Sequence, residues 1–325
     1  MAFIDRHWSA GHILARDRAL MDFQHGDPDD RDHYNWLIAE DNGEMVGILG
    51  YIPTRIYDAA LDGQCFVWLT LWCVRPDMRG SAVGLRLLRA FEKVEPNSGV
   101  GVLGVNPEHP PMYRALGYRV GELAHHVLFS NIMTTKLANR PEGWIAPKMS
   151  KGSARLDKVT ASRLPEIVAD ERAVPYKTAA YFSNRYLGHP IYRYDVFAVV
   201  ISGKPRALLA ARVAEHDGAR ALRIVDYAGP SEVLAACGPA LLDLIVERGA
   251  EYADLWEYGL EPDDLADCGF ARVAADGDLI VPNYFEPFVR QNQRIEFAIR
   301  APERLPVRIF RGDGDQDRPS TMVRQ

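Results

Sequence analysis

One stretch decides the fold of this chain, and it runs from Val67 to Tyr118. It opens with an apolar run that predicts a buried strand, Val67-Trp68-Leu69-Thr70-Leu71-Trp72-Cys73-Val74. A loop of small and charged residues follows, Arg75 to Gly84, and then an amphipathic helix, Leu85 to Glu92. At such a junction, unpaired backbone N–H groups and the positive end of the helix dipole point at the same spot. The junction therefore predicts a site for a phosphate group.

The second half of the stretch repeats the alternation of strand and helix. Val100–Val105 reads as another strand, and Asn106 follows it directly. Tyr113, seven residues after Asn106, begins the run Tyr113-x-x-Leu116-Gly117-Tyr118. Strand, helix, strand and helix in this order predict a mixed sheet with helices packed against it.

Two motifs in this stretch resemble those of the GNAT acyltransferases. The loop reads Arg79-x-x-Ala82-x-Gly84 and is similar to the Q/R-x-x-G-x-G/A pattern with which that family holds the pyrophosphate of acetyl-CoA. Asn106 and the run that ends at Tyr118 resemble the family's N…Y-x-x-L-G-F ending. The chain departs from the family at Ala82, where glycine is usual, and at His109, where a small residue is usual. The resemblance covers roughly residues 34–130.

The resemblance implies that acyl-CoA, by default acetyl-CoA, is the co-substrate, and we expect no metal. It also implies that free amides of the central strand pair with the pantetheine arm and polarise the thioester carbonyl, with the Cys73 amide as the oxyanion donor. We expect the Cys73 side chain to be a core residue and not a nucleophile. The residues assigned to the co-substrate are Leu71, Cys73, Val74, Arg79, Gly80, Ser81, Ala82, Val83, Gly84 and Asn106.

Acyl transfer to an amine needs a neutral amine and a proton for the departing thiolate. Tyr113 is the general acid that the resemblance implies, and a core tyrosine is the alternative. The sequence leaves the base open: His109 and Asp315 are the leading candidates, and a water relay is the alternative. The further candidates for the base are Glu108, His125, His126, Asp313 and Asp317.

Composition places the chain among ordinary globular proteins. It has 325 residues, of which 47% are hydrophobic and 25% charged, and its net charge is -6 without a long basic run, so nucleic acid is not an expected partner. Four scattered cysteines without a C-x-x-C pair indicate free thiols in a reducing compartment, not a zinc site. Neither a signal-peptide core nor a long apolar run occurs, so we expect a cytoplasmic protein that does not bind membranes.

The order of elements repeats faintly in the second half of the chain. In the first half, Asn42-Gly43 predicts a hairpin, and Leu123–Phe129 reads as the closing strand. In the second half, a helix with Leu164, Ile167 and Val168 precedes a similar series of strands. These strands are predicted at Tyr194–Ser202, Arg206–Val213, Ala221–Tyr227 and Asp254–Tyr258. A repeat of this length indicates two related domains.

We therefore predict an α/β (α+β) fold of two tandem GNAT-like domains, each a mixed, mostly antiparallel sheet flanked by helices. Residues 1–145 form the catalytic domain that binds acyl-CoA, and residues 154–300 a degenerate domain that binds the acceptor. The Pro- and Gly-rich segment 136–152 is the predicted linker. The second domain has Ala228-Gly229-Pro230-Ser231-Glu232 in place of the phosphate loop. Because proline removes an amide donor and Glu232 repels phosphate, we expect a single CoA site, in the first domain.

Residues 301–325 form an acidic tail with the run Asp313-Gly314-Asp315-Gln316-Asp317-Arg318-Pro319. The aspartate spacing invites a calcium loop, but the glycine and the closing acidic residue that such a loop needs are missing. Two interpretations stay open. The tail is a solvated, partly disordered terminus, or it folds back into the active site, where its aspartates hold a cationic amine.

The tandem order, this tail and the segment Asn184-Arg185-Tyr186-Leu187-Gly188-His189-Pro190 resemble bacterial N-acyltransferases that modify nucleotide-linked amino sugars for surface polysaccharides. The resemblance implies a nucleotide-linked amino-deoxy sugar as acceptor, with dTDP or UDP as the expected nucleotide. Arg185, Tyr186 and His189 are the predicted acceptor-binding residues, and Arg193 and Arg212 could add charge for a diphosphate. The alternatives are another small amine or a peptide as acceptor, or a non-catalytic module that binds acyl-CoA. A homodimer is left open.

Overall fold

The computed structural model describes residues 1–30, 32–95, 97–131, 135–164 and 173–319. The helices are α1 (Ala2–His7), α2 (Ile13–Arg16), α3 (Arg18–His25), α4 (Val83–Val94), α5 (Pro110–Ala115), α6 (Ala179–Phe182), α7 (Ser231–Ala235), α8 (Gly238–Glu247) and α9 (Pro262–Asp267). The predicted helix at Ile167 and Val168 lies outside the described residues. None of the helices within those ranges is long and apolar enough to cross a membrane.

The strands hold more of the described residues than the helices do. They are β1 (Trp36–Asp41), β2 (Glu44–Pro53), β3 (Phe66–Val74), β4 (Gly99–Leu103), β5 (Arg119–Glu122), β6 (Ala124–Phe129), β7 (Arg155–Val159), β8 (Tyr194–Ile201), β9 (Lys204–His216), β10 (Ala219–Ala228), β11 (Ala250–Tyr258), β12 (Ala271–Val273), β13 (Tyr284–Phe285), β14 (Phe288–Val289), β15 (Glu296–Arg300) and β16 (Ile309–Phe310). The predicted hairpin is confirmed, since β1 and β2 pair across Asn42 and Gly43, which both have the positive φ of such turns.

The strands form two large mixed sheets. The first sheet has six strands in the order β1-β2-β3-β4-β15-β5, with β3 and β4 parallel. The second has eight strands, seven of them in the order β12-β6-β11-β10-β9-β8-β7, with β10 and β11 parallel and β16 attached to β11. Helices lie against the outer faces, so the predicted fold class, mixed sheets flanked by helices, is confirmed. We refer to each sheet with its helices as the first and the second unit.

The two units exchange strands. β15, from late in the chain, lies between β4 and β5 of the first sheet. β6, which precedes the second half of the chain, lies between β11 and β12 of the second sheet. The boundaries predicted at residues 145 and 154 therefore do not separate the sheets. A sequence pattern shows that a segment is a strand, but not which edge it joins, because the partners are distant along the chain.

A large apolar core lies between the two sheets and joins the units. Phe66 and Trp68 of β3 and Phe297 of β15 pack there against Trp256 of β11. Val67 and Leu69, on the opposite face of β3, pack under α4 together with Phe91. The central strand is thus buried on both faces, as its unbroken apolar run predicts.

The predicted linker, residues 136–152, contains neither a helix nor a strand, yet it is not a loose connector. Leu137 is buried, and the carboxylate of Glu251 accepts hydrogen bonds from the amides of Lys136 and Leu137. Trp144 packs edge-on against Phe129. The segment is therefore part of the second unit's surface.

Candidate functional site

A cleft opens in the first sheet where the two parallel strands separate. Residues 66–69 of β3 pair with residues 99–102 of β4, and β3 then continues to Val74. The separation begins at a β-bulge. Leu69 lies opposite Tyr51 and Trp72 lies opposite Leu49, so two residues of β3 face one residue of β2. A bulge bends its strand and increases the local twist, and here it turns the end of β3 away from β4.

The direction of the backbone amides in the cleft corrects one prediction. The N–H of Arg75 donates to the carbonyl of Val46 on β2, and Cys73 lies opposite Ile48 of the same strand. Because successive amides alternate in direction along a strand, the N–H of Cys73 also points at β2. The amides of Trp72 and Val74 point at the cleft instead. The Cys73 amide therefore does not face the cleft, and the prediction that it is the oxyanion donor is wrong.

The side chains of Leu71 and Cys73 lie in the core beneath α1, α2 and α3. The Cys73 thiol donates a hydrogen bond to the carbonyl of His7 over 3.4 Å, and burial raises the pKa of that thiol. A buried, protonated thiol is a poor nucleophile. The prediction that Cys73 is a core residue is confirmed, and all four cysteines are buried and free.

The loop after β3 presents open amides at the start of α4. Gly80 and Ala82 both have left-handed backbone conformations, with φ of 83° and 62°. Ala82 is the residue that precedes the helix, and it has no polar side chain that could cap it. The first helical bond runs from the N–H of Arg86 to the carbonyl of Ala82, which leaves the amides of residues 83 to 85 for an external acceptor. Arg79, Gly80 and Ser81 are exposed beside them.

Gly84 is needed for the contact between this loop and the central strand. A Cβ added at Gly84 would lie 3.2 Å from Nε1 of Trp72. The absence of a side chain therefore lets the first turn of α4 sit directly on β3, next to the cleft amides. The first turn of α4, at the predicted phosphate end of the co-substrate site, thus contacts Trp72 at its predicted thioester end.

Tyr113 lies on α5 with its ring packed edge-on against Trp72 and Tyr118, at centroid distances of 6.3 and 5.5 Å. Burial, with Tyr118 nearby, raises the pKa of Tyr113, so its hydroxyl keeps its proton at neutral pH. Asn106 is exposed beyond the end of β4 and accepts a hydrogen bond from the N–H of Glu108. His109 is also exposed, at the residue before α5. Their assigned roles stay predictions.

His125 and His126 do not face this cleft. Both lie on β6, in the second sheet, and both are buried. His126 contacts the carboxylate of Glu257 at 3.0 Å, and His125 stacks on Trp256 with ring centroids 4.0 Å apart. Burial lowers the pKa of His125 to about 4. As candidates for the base they are wrong, because the strand exchange moves β6 into the other sheet.

The second sheet has a similar separation, but the chain itself fills it. β10 carries an extra residue at Val225, since Ile224 and Asp226 lie opposite neighbouring residues of β9. Beyond this bulge β16 pairs with β11, and the N–H of Gly312 donates to the carbonyl of Val225 over 2.6 Å. The segment Ile309–Gly312 thus occupies the place that is open in the first sheet.

Buried ion pairs hold the tail, which we define as residues 309–319. The Nζ of Lys177 lies 2.7 Å from Asp226 and 3.0 Å from Asp313. Asp317 accepts hydrogen bonds from Arg212 at 2.8 Å and Arg311 at 3.0 Å. Burial by itself would raise the pKa of Asp317, but the two guanidinium groups hold it well below its usual range. The interpretation of the tail as a solvated terminus is therefore wrong for the residues up to Pro319. Residues 320–325 lie outside the described part of the chain.

Arg185, Tyr186 and His189 are buried and serve the tail and the core instead of an open acceptor site. The Nη2 of Arg185 donates to the carbonyls of Gly312 and Gly314 at 3.2 and 3.1 Å. The hydroxyl of Tyr186 donates to Asp226 over 2.6 Å. The Nδ1 of His189 accepts hydrogen bonds from the backbone amides of Ile191 and Tyr192. The prediction that these side chains contact the acceptor directly is corrected, as is the diphosphate role of Arg212.

Sequence reasoning missed several buried polar residues. Lys177 and Gln316 hold the tail, and His12, at the start of α2, and Gln24 and His25, at the end of α3, are buried. No motif marks any of them. The one available signal was the concentration of polar residues at the ends of α2 and α3, beside apolar positions.

Comparison with known proteins finds that part of the chain is similar to a known family. Residues 32–120 match the family described as acetyltransferase (GNAT) domain. This part of the chain is therefore similar to a GNAT acetyltransferase domain. The match spans β1 to β5 and includes the loop, the cleft and Tyr113. No curated protein matches the chain.

Solved structures of similar shape come from several organisms. A GCN5-related N-acetyltransferase from Anabaena variabilis is 11% identical with a TM-score of 0.49, and the alignment covers 82% of this chain and 62% of that one. A putative acetyltransferase from Pyrococcus horikoshii is 10% identical with a TM-score of 0.44, over 83% and 74% of the two chains. A GCN5-related N-acetyltransferase from Kribbella flavida is 14% identical with a TM-score of 0.43, over 82% and 59%. The chain thus spans less than two thirds of the length of the first and third of these proteins.

Proposed function

We propose that the protein is an acyl-CoA-dependent N-acyltransferase, with acetyl as the acyl group and one CoA site, in the first unit. The observation that carries the proposal is the junction of β3 and α4. There the open amides of residues 83 to 85 and the exposed Arg79 lie at one end of a cleft, and the free amides of Trp72 and Val74 lie at the other. Such an array suits a diphosphate joined to an extended polar arm.

The chain's own groups can serve the steps of acyl transfer. Acyl-CoA supplies an activated thioester to the cleft. The amides of Trp72 and Val74 stabilise negative charge on the carbonyl oxygen during attack, as fixed backbone donors do in oxyanion holes. Tyr113 donates its proton to the departing sulfur, a role that fits a hydroxyl protonated at neutral pH.

We further propose that the second unit is a degenerate copy of the first, so that the chain is a tandem arrangement. Both parallel pairs begin to separate at a bulge on the first strand of the pair. In the second unit, Pro230 precedes α7 and Glu232 lies in its first turn, while the tail fills the cleft. That unit then acts by holding the tail against the first one.

For the acceptor we propose the amino group of a nucleotide-linked amino-deoxy sugar, in surface polysaccharide synthesis in the cytoplasm. The support is the resemblance of the tail sequence and of the tandem order. The arginines first assigned to the diphosphate do not add support, since Arg185 and Arg212 are paired with the tail. Arg193 is exposed near the same surface and is the remaining cation of that group.

Calorimetric titration with acetyl-CoA and CoA tests the proposal directly. We expect binding that Arg79→Glu weakens at least tenfold, whereas Arg89→Glu, an exposed change further along α4, leaves it unchanged. Thermal-shift screening with dTDP-, UDP- and GDP-linked amino sugars then tests the acceptor. Absence of CoA binding by the wild type would refute the enzyme, and binding without transfer to any amine would favour a non-catalytic module.

A further inference from the structure

A cavity of about 270 Å³ lies at the edge of the first sheet, between that sheet and the amino-terminal helices. Its lining comes from four elements: α1 and α3 on one side, and β1 and β2 on the other. β1 is the edge strand of the first sheet, and β2 is its one partner among the described strands. The exposed side chain of Ile38, on β1, belongs to the lining, so the cavity reaches the surface of the molecule.

This cavity is separate from the cleft proposed for the co-substrate. Ile48 of β2 lines the cavity and packs with α1, α2 and α3, whereas the next residue, Leu49, packs under α4 on the opposite face of the sheet. The described residues that line it include neither Tyr113 nor any residue of the tail. In the tail, Asp315 pairs with Arg318 at 3.1 and 3.2 Å, and its role as the base stays a prediction.

The floor of the cavity is apolar. Ile4, Met21 and Ile48 form it, and none of them is more than 5% exposed. The walls are partly buried residues that pack on the same core, namely Phe3, Trp36 and Met45. A water molecule needs two to four polar partners, and the floor side chains offer it only the weak acceptor of the Met21 sulfur. Because such water is poorly held, an apolar group that displaces it binds favourably.

The polar groups at the rim already satisfy each other. Arg18 is the one charged side chain in the lining, and Tyr34 contributes a hydroxyl group. The Nε of Arg18 donates to the carboxylate of Asp22 over 2.7 Å. The hydroxyl of Tyr34 donates to the same carboxylate and accepts from Arg18. A charged ligand would therefore lose its hydration without meeting a free counter-charge in the lining, which disfavours it.

The volume limits the size of the ligand. A dry cavity of about 150 Å³ is large enough for benzene, and sites for drug-sized molecules measure about 300–1,000 Å³. At about 270 Å³, this cavity suits one ring with one or two short substituents. Phe3 and Trp36 offer aromatic faces and edges to such a ring. Met21 and Met45 have flexible, polarisable side chains, which make favourable contacts with aromatic rings.

We propose that this cavity is a binding site for a small uncharged aromatic molecule. The ring packs against Phe3 and Trp36, and the side chains of Met21 and Met45 adjust to it. The ligand enters past Ile38, and it leaves the ion pair between Arg18 and Asp22 intact. The site uses no residue of the proposed co-substrate cleft, so its existence does not depend on the acyltransferase activity.

A binding experiment tests the site with p-cresol as the probe. Protein labelled with ¹³C at the methionine methyl groups is titrated by NMR, and Met21→Leu and Met45→Leu assign the two signals. We expect saturable shifts of both signals. The signal of Met149 should not move, because this residue packs against Gly238 and Gly269 in the second unit. Shifts that do not saturate, or that are equal at Met149, would mean non-specific binding only and would overturn the proposal.

Two analogues of p-cresol test the class of ligand. The anion p-hydroxybenzoate should bind about tenfold more weakly or worse, because its carboxylate loses hydration without gaining a free cation. The saturated ring of 4-methylcyclohexanol should bind about fivefold more weakly, because it lacks the contacts between aromatic groups. An anion that binds as well as p-cresol would overturn the requirement for an uncharged ligand, and equal binding of the saturated ring would overturn the aromatic one.

Variants of the lining test the location. Ile38→Asp places a carboxylate at the mouth and should weaken p-cresol binding about tenfold. The matched control is Val246→Asp in the second unit, where the side chain is 70% exposed, and it should bind p-cresol normally. Met45→Trp fills the cavity from its wall and should abolish the shift of the Met21 signal. If Met45→Trp does not fold, Ile38→Asp still decides, since Ile38 is 52% exposed and its substitution leaves the core intact. Normal binding by Ile38→Asp would overturn the location.

The free edge of β1 allows another occupant to be tested in the same samples. Light scattering at the concentration used for NMR should give the mass of a single chain. A dimer that Ile38→Asp dissociates, and that Val246→Asp does not, would show that a second copy covers the mouth. That result would overturn the proposal of a small-molecule site.

Discussion

Gln316 donates its side-chain amide to the carbonyl of Leu103 over 2.9 Å, at the strand end where β4 leaves β3. The same tail, at Gly312, donates to Val225 in the separation of the second sheet. One segment therefore fills one cleft and borders the other. Buried ion pairs from Lys177 to Asp313 and from Arg212 to Asp317 anchor this segment to the second unit.

Tyr113→Phe should lower kcat by about a hundredfold or more, because a positioned general acid typically contributes that much. The ring contacts with Trp72 and Tyr118 remain, so CoA affinity and Tm should not change. Steady-state release of free thiol measures the effect. The matched control is Tyr118→Phe, whose buried hydroxyl has no hydrogen-bond partner within the described residues. Equal losses in both variants would mean that Tyr113 acts through packing alone.

Ala82 carries a left-handed conformation, φ 62°, that costs an L-residue about 1–2 kcal/mol. Ala82→Gly should relieve this strain and, after the entropy cost of glycine, stabilise the protein by up to about 1 kcal/mol with CoA binding retained. Ala82→Val should destabilise it and weaken CoA binding about tenfold, since a β-branched residue fits this region poorly. Thermal unfolding and calorimetry give both values. A valine variant that binds normally would show that the loop does not hold the phosphates in this conformation.

Each chain should bind a single CoA molecule. The second cleft is filled by Ile309–Gly312, and the loop before α7 contains Pro230. Calorimetry with protein of known active concentration gives the number of sites. Phe310→Ala loosens the segment that fills the second cleft and should lower Tm. It should not add a CoA site, because Pro230 still deprives the loop before α7 of an amide donor. Two equivalent sites in the wild type would contradict the assignment of the second unit.

The stability of the protein should fall between about pH 4 and pH 6 through Asp313. Burial, partly offset by Lys177, raises the pKa of this carboxyl to about 6, above its value of about 3.9 in the unfolded chain. The folded state then binds the extra proton, so the contribution is complete below pH 4 and is lost as pH rises through 6.

Asp313→Asn removes the titrating group, so the stability of this variant should not show this dependence on pH. The difference in Tm between wild type and variant, measured from pH 4 to pH 8, should favour the wild type most at the acid end and level off above pH 6. The control Asp276→Asn is exposed and should follow the wild type throughout. A difference independent of pH would show that Asp313 does not titrate in this range.

The sequence by itself determined the features that depend on neighbouring residues. The strand Val67–Val74 and the hairpin at Asn42-Gly43 form where their patterns predict, and the helix after the loop begins at Val83, two residues before its predicted start. Short-range sterics and hydrogen bonding decide such elements. For the same reason the resemblance of the loop and of the run at Tyr113 to a known family was visible in the sequence alone.

Only the tertiary structure decided which distant segments meet. It placed β15 in the first sheet and β6 in the second, turned the Cys73 amide away from the cleft, and buried Asp313 and Asp317. An aspartate-rich tail reads as solvated because the free energy of a buried carboxylate depends on cations elsewhere in the chain. Here those cations are Lys177 and Arg212, which lie more than a hundred residues before their partners. No local pattern in the tail could therefore indicate them.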